Sequence, residues 1–209
     1  MYYKNILQIF SCLTVSRTIN LIKTGFSMLV SFIFKKPIMW GKPYTLFIEP
    51  SGSCNLKCPE CVVGSGMLTR PKGNMTIDDF KQIIDQVEKH VIIIYLYFQG
   101  EPFLNKHVYE MIQYARSKRM YVITSTNGHF FRKDEQVQAL INSGIQYVII
   151  SMDGVTQDSY EKYRVGGKLE IVETGIRKIV AMKKQFKKHT PALALQFLVM
   201  RDNEHEMPL

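Results

Sequence analysis

Cys54, Cys58 and Cys61 fall within eight residues, spaced C-x3-C-x2-C. Thiolates are soft ligands, and a loop of this length can fold all three around one centre, as zinc sites and iron–sulfur clusters require. The two chemistries differ at the fourth position. A structural zinc ion closes its tetrahedron with four protein ligands, commonly as paired C-x2-C motifs. The fourth cysteine, Cys12, lies far upstream in an apolar segment. A four-iron cube held by three cysteines keeps one iron without a protein ligand, and that corner is open to a substrate or cofactor.

The elements around these thiols alternate. A strand-like run from Tyr44 to Ile48 leads through Glu49-Pro50 and a Ser-Gly-Ser turn into the cysteines. Thr76, with Asp79 three residues on, predicts a helix start, and Ile77, Phe80, Ile83, Ile84 and Val87 follow at helical spacing. The continuous β-branched and aromatic run from Val91 to Phe98 predicts a strand buried on both faces. It ends at Gln99-Gly100-Glu101-Pro102. Further helices are predicted near 106–117, 134–142 and 169–188, and further strands over 120–124, 145–150 and 192–200. Ser143-Gly144 supplies a helix stop. Such a βαβαβαβαβ order implies a parallel sheet with helices outside. Right-handed crossovers then gather the strand C-terminal ends on one rim. The cysteine loop, Gln99 to Pro102, Ser125 to Gly128 and Ser151 to Gly154 each follow a strand, so polar, glycine-bearing clusters converge there.

At 209 residues and 46% hydrophobic, the chain can bury one sizeable core. Four cysteines, three of them in a ligand-like loop, point to a reducing, cytoplasmic setting and not to a disulfide framework. Residues 1–48 contain no Asp or Glu and carry six of the nine excess positive charges. The remaining three are too few to suggest a nucleic-acid groove, and no aromatic-interleaved basic motif supports one. Residues 5–34 read as apolar helix, but Arg17 and Lys23 interrupt any stretch long enough to span a membrane. Two readings of this segment stand: a helical arm packed on the domain, or an acid-free amphipathic segment making peripheral contact with an anionic membrane through residues 1–36. The division expected is an arm over 1–40 and a core domain over 41–209.

In their loops, these motifs resemble the radical S-adenosylmethionine (radical SAM) family, over roughly residues 44 to 200. The resemblance implies an α/β fold, a partial (β/α)6 TIM-like barrel with the cluster loop after the first strand, here preceded by the N-terminal helical arm. It implies Cys54, Cys58 and Cys61 as ligands of a 4Fe–4S cluster whose open iron chelates SAM. Gly100-Glu101-Pro102 is similar to the family's Gly-Gly-Glu-Pro segment, which receives the SAM amino group; Gln99 replaces the first glycine. Ser151 and Arg164 are similar to the pair that holds the SAM ribose and carboxylate, and Thr126-Asn127-Gly128 matches a segment that shapes the rim. Glu60 departs from the pattern, since the residue before the last cysteine is often aromatic and lies near adenine.

The activity implied is reductive cleavage of SAM to a 5′-deoxyadenosyl radical that abstracts hydrogen, with electrons from a flavodoxin or ferredoxin. Ser151-Met152-Asp153-Gly154-Val155-Thr156 with Tyr160 and Arg164 looks most like the branch carrying a C-terminal SPASM extension, many of whose members modify peptides or proteins. No cysteine follows Cys61, so that extension is expected to be absent. Asn203 with Glu206 predicts a helix start at the very end of the chain, as if the barrel were truncated after its fifth strand. Two other readings remain open: a metal-binding fragment too incomplete to turn over, and a membrane-associated scaffold whose cysteines bind zinc.

Overall fold

A computed structural model describes residues 2–207, with side chains from Ile6 onward. Two helices come first, α1 (Tyr2–Phe10) and α2 (Val15–Phe34). The alternating core follows: β1 (Thr45–Phe47), α3 (Ile77–Val87), β2 (Ile93–Tyr95), α4 (Val108–Ser117), β3 (Tyr121–Thr126), α5 (Asp134–Asn142), β4 (Tyr147–Ser151), α6 (Gln157–Tyr163), α7 (Leu169–Gln185) and β5 (Ala192–Gln196). The five strands pair in sequence order and all in parallel. One row of the register runs Phe47, Tyr95, Ile123, Tyr147, Ala192. A doubly wound sheet would reverse its strand order at a switch point. This sheet adds each strand beside the last, as a barrel does, and remains open between β1 and β5.

The helices cover the outer face. Ile94, Val122, Val148 and Ile150 are fully buried against Phe80 and Ile84 of α3, Met111 and Ile112 of α4, Val137 and Leu140 of α5, and Val172 and Ile179 of α7. Thr76 caps α3 as its spacing predicts, accepting from the Asp79 N–H at 3.1 Å. Gly144 ends α5 at φ +76°, a conformation that costs glycine nothing.

The predicted single apolar helix over 5–34 is two helices. The chain breaks at Ser11–Thr14, where the Thr14 hydroxyl caps α2 by accepting from the Arg17 N–H at 3.3 Å. Ile9, Cys12, Leu13 and Leu21 pack on Ile92, Ile93, Tyr121, Ile123 and Tyr147. The fully buried Arg17 donates to the carbonyls of Cys12, Glu88, Lys118 and Arg119, at 2.7 to 3.0 Å. Those carbonyls include the ends of α3 and α4, where a cation meets the negative end of the helix dipole. The arm therefore sits at the strand N-terminal ends, opposite the rim.

The predicted helix start at Asn203 is only a 3-10 turn, Glu204–Glu206. Asn203 instead donates to Asp153 O and Leu198 O, and Glu206 accepts from Val155 N–H, Thr156 and Ser159 at the start of α6. These two side chains cap an existing loop and helix instead of opening a new one.

Candidate active site at the rim of the sheet

The loop after β1 closes on itself before it presents its thiols. Ser51 bridges to Asn74, Gly52 N–H donates to Gly73 O at 2.8 Å, and the buried Asn105 side chain ties Pro50 O to Met75 O. Within that frame Cys58 is buried, while Cys54 and Cys61 are half-buried. Gly64 packs so closely beneath Cys58 that a Cβ there would stand 2.5 Å from its carbonyl oxygen.

The loop after β2 is drawn to this frame. Glu101 N–H donates to Ser53 O at 2.8 Å, and Gln99 and Gly100 N–H groups donate to one oxygen of Glu49 at 2.9 and 3.2 Å. Arg70 pairs with the other oxygen of Glu49. A Cβ on Gly100 would lie 1.9 Å from Ser51 O, so no side chain fits there.

Residues from all four strand-end loops line one cavity of about 190 Å³. Its walls include Cys54, Cys58, Cys61, Gly100, Glu101, Asn127, Ser151 and Arg164, each of the residues that the sequence singles out. A larger cleft of about 820 Å³ shares no residue with it and carries no thiol.

Hydrogen-bond donors face the sulfurs. Asn127 Nδ2 lies 3.8 Å and Leu56 N 3.5 Å from Cys54 Sγ, and Arg164 Nη1 lies 3.8 Å from Cys58 Sγ. Burial pushes both thiols up, partly countered by these donors, so metal coordination must displace their protons.

Glu101 is buried and accepts from Thr126 Oγ1 at 2.8 Å, Asn127 N at 2.9 Å and Phe103 N at 3.2 Å. Desolvation nevertheless dominates these three donors and pushes its carboxyl up to about 7 from an ordinary 4.5. A native carboxyl that holds its proton more tightly than the unfolded one stabilises the fold below the unfolded value. That stability is lost as pH rises through the folded value. Between pH 4.5 and about 7 the ligand-free chain is expected to lose about 3 kcal/mol from this group. Urea titrations across that window should show the slope, and Glu101→Gln should flatten it.

Arg164 caps the C-terminus of α6, a helix the sequence does not announce. Its fork is already engaged: Nε and Nη2 both lie 2.5 Å from Asp153 Oδ2. Asp153 is fully buried, and its other oxygen accepts from Leu198 N–H at 2.7 Å. Asp153 and Glu49 are the positioning residues that sequence reasoning missed. Both stand in loops that the sequence marks, but their partners, Gln99 N–H and Leu198 N–H, lie 50 and 45 residues away and no local motif points to them.

The donor set fits a cluster held by three thiols. The fourth cysteine, Cys12, is buried beneath the sheet against Ile92 and Tyr121, at the opposite end from the rim.

Comparison with known proteins identifies the family. A family model described as the radical SAM superfamily matches residues 48–193. The chain is 30% identical over 126 residues to an AdoMet-dependent heme synthase of Methanosarcina barkeri, covering 60% of this chain and 36% of that protein. It is 29% identical to the mycofactocin maturase MftC of Mycobacterium ulcerans, covering 66% of this chain and 37% of the relative. The chain thus spans little more than a third of either relative. The structure of native anSMEcpe with bound AdoMet and Cp18Cys peptide superposes with a TM-score of 0.56 at 20% identity, over 74% of this chain and 42% of that one. With the thiol loop, the sequentially ordered parallel sheet and the family match in agreement, the chain belongs to the radical SAM superfamily, enzymes whose cofactors are a 4Fe–4S cluster and S-adenosylmethionine.

Proposed function

We propose that this rim is the cofactor end of an enzyme that cleaves SAM reductively and uses the radical to take hydrogen from a peptide or protein. One observation carries the reading: three thiols, a buried carboxylate and an arginine from separate strand-end loops share one cavity. Cys54, Cys58 and Cys61 would hold the cluster through their thiolates. The cluster, when bound and reduced by a flavodoxin or ferredoxin, would supply one electron for cleaving SAM into methionine and a 5′-deoxyadenosyl radical.

The protein's share is binding, orientation and charge. Asn127 and Arg164 donate toward Cys54 and Cys58, which favours the thiolate forms over the protonated ones. Glu101, in its carboxylate form, offers the counter-charge for an ammonium group. Ser151 ends β4 on the same wall and can bond a ribose hydroxyl. Arg164, tied to Asp153, has Nη1 left for a ligand carboxylate or a cluster sulfur. The cavity of about 190 Å³ is smaller than the roughly 300–1,000 Å³ of most small-molecule sites. The peptide assignment rests on the likeness of the β4 loop to the SPASM branch and on kinship with a maturase.

Anaerobic reconstitution with iron and sulfide, followed by electron paramagnetic resonance of the reduced protein, tests the proposal. A cubane signal that shifts on adding SAM is expected. Stoichiometric zinc with no cluster would overturn it, and a cluster indifferent to SAM would favour a metal-binding core without turnover.

A further inference from the structure

Helix α2 is inside out. A surface helix normally turns its apolar stripe to the core and its polar face to water. Here, apart from Leu21, the inward stripe is polar: Arg17, Asn20, Thr24, Ser27 and Ser31 recur three and four residues apart, buried or half-buried. Each is satisfied locally. Asn20 exchanges two hydrogen bonds with the Lys42 backbone at 2.8 and 2.9 Å, and Ser31 exchanges two with the Ile38 backbone at 2.9 Å. Thr24 and Ser27 bond back to Asn20 O and Thr24 O. The opposite stripe, Val15, Ile19, Ile22, Phe26, Leu29 and Ile33, is apolar and exposed at every position. Phe32, 83% exposed, widens it.

A polar seam held by hydrogen bonds fixes the helix by direction, so the apolar stripe cannot roll inward. Water is a poor neighbour for it. The surrounding charge selects the occupant. Lys23, Lys35 and Lys36 are exposed beside the stripe, and residues 1–48 contain no carboxylate side chain. A second copy would set lysine against lysine with nothing to neutralise them, whereas an anionic bilayer supplies both an apolar medium and the opposite charge. No described helix is long and apolar enough to cross a membrane.

We propose that α2 seats the protein on anionic lipid, lying in the plane of the interface with its outward stripe in the acyl boundary. Arg17 pins the start of α2 to the ends of α3 and α4, at the strand N-termini and so at the opposite end of the sheet from the cysteine rim.

Trp40 is the only tryptophan, half-exposed and 5.5 Å from the Phe26 ring, so its emission reports on this face alone. The full chain is mixed with vesicles of phosphatidylcholine alone, or of phosphatidylcholine with phosphatidylglycerol, then sedimented and read by fluorescence. Co-sedimentation with the anionic vesicles, a blue shift of Trp40 and release by salt are expected. Lys35→Gln with Lys36→Gln should weaken binding about 25-fold, near fivefold per lysine. Ile22→Ser with Leu29→Ser should weaken it more than tenfold. Both pairs lie on exposed positions, and circular dichroism verifies that they fold. No binding, or equal and salt-insensitive binding to neutral vesicles, overturns the proposal. So does a concentration-dependent dimer that Ile22→Ser with Leu29→Ser abolishes, because that outcome gives the stripe to a second copy.

Discussion

Cys58→Ala is expected to bring iron and sulfide per chain to background after anaerobic reconstitution, and to erase the paramagnetic signal of the reduced protein. Cys58 is the most buried of the three rim thiols, with Gly64 packed beneath its backbone and Arg164 aimed at its sulfur. No neighbouring side chain can replace it. The one other cysteine, Cys12, is 1% exposed within the apolar cluster under the sheet. Cys12→Ala is therefore the matched control, removing a buried thiol with no effect on iron content. Equal losses in the two variants would break the link between the rim and the metal.

Asp153→Ala is expected to cost about 3 kcal/mol of stability, read from urea unfolding midpoints. The substitution strips two hydrogen bonds from a guanidinium only 17% exposed, and it orphans the Leu198 N–H. Removing one partner of a buried pair typically costs about 3–5 kcal/mol; the residual exposure of Arg164 argues for the lower figure. Asp153→Ala with Arg164→Leu should recover part of that loss, because the uncompensated charge is gone. The coupling in the double-mutant cycle should exceed about 1 kcal/mol. Strict additivity would mean that the pair is incidental.

Where the sequence carries a strong period or a soft-ligand spacing, it reads directly into the structure. The β-branched run around Ile93–Tyr95, the capped α3 and the three rim thiols all lie where they were expected. Four of the five strands are shorter than their apolar runs, which continue past the last ladder bond: Val91–Phe98 contributes only three paired residues to β2, whereas β3 runs two residues beyond the expected 120–124, through the polar Ser125 and Thr126. Helix α6 escaped because its seven residues, QDSYEKY, have no apolar period, although Thr156 and Ser159 form its capping box. The break before α2 hinged on one hydroxyl, Thr14, inside a segment whose hydrophobicity concealed it. Glu49 and Asp153 were illegible for a different reason. A carboxylate that braces a loop is defined by N–H groups tens of residues away, and no local spacing encodes that.

Glu49 joins backbone amides fifty residues distant to the loop that bears the thiols, and Arg70 closes the same carboxylate from the far side. The amide protons of Gln99 and Gly100 are therefore expected to share one level of protection from solvent exchange, set by a single carboxylate oxygen, and Glu49→Ala should lower both together.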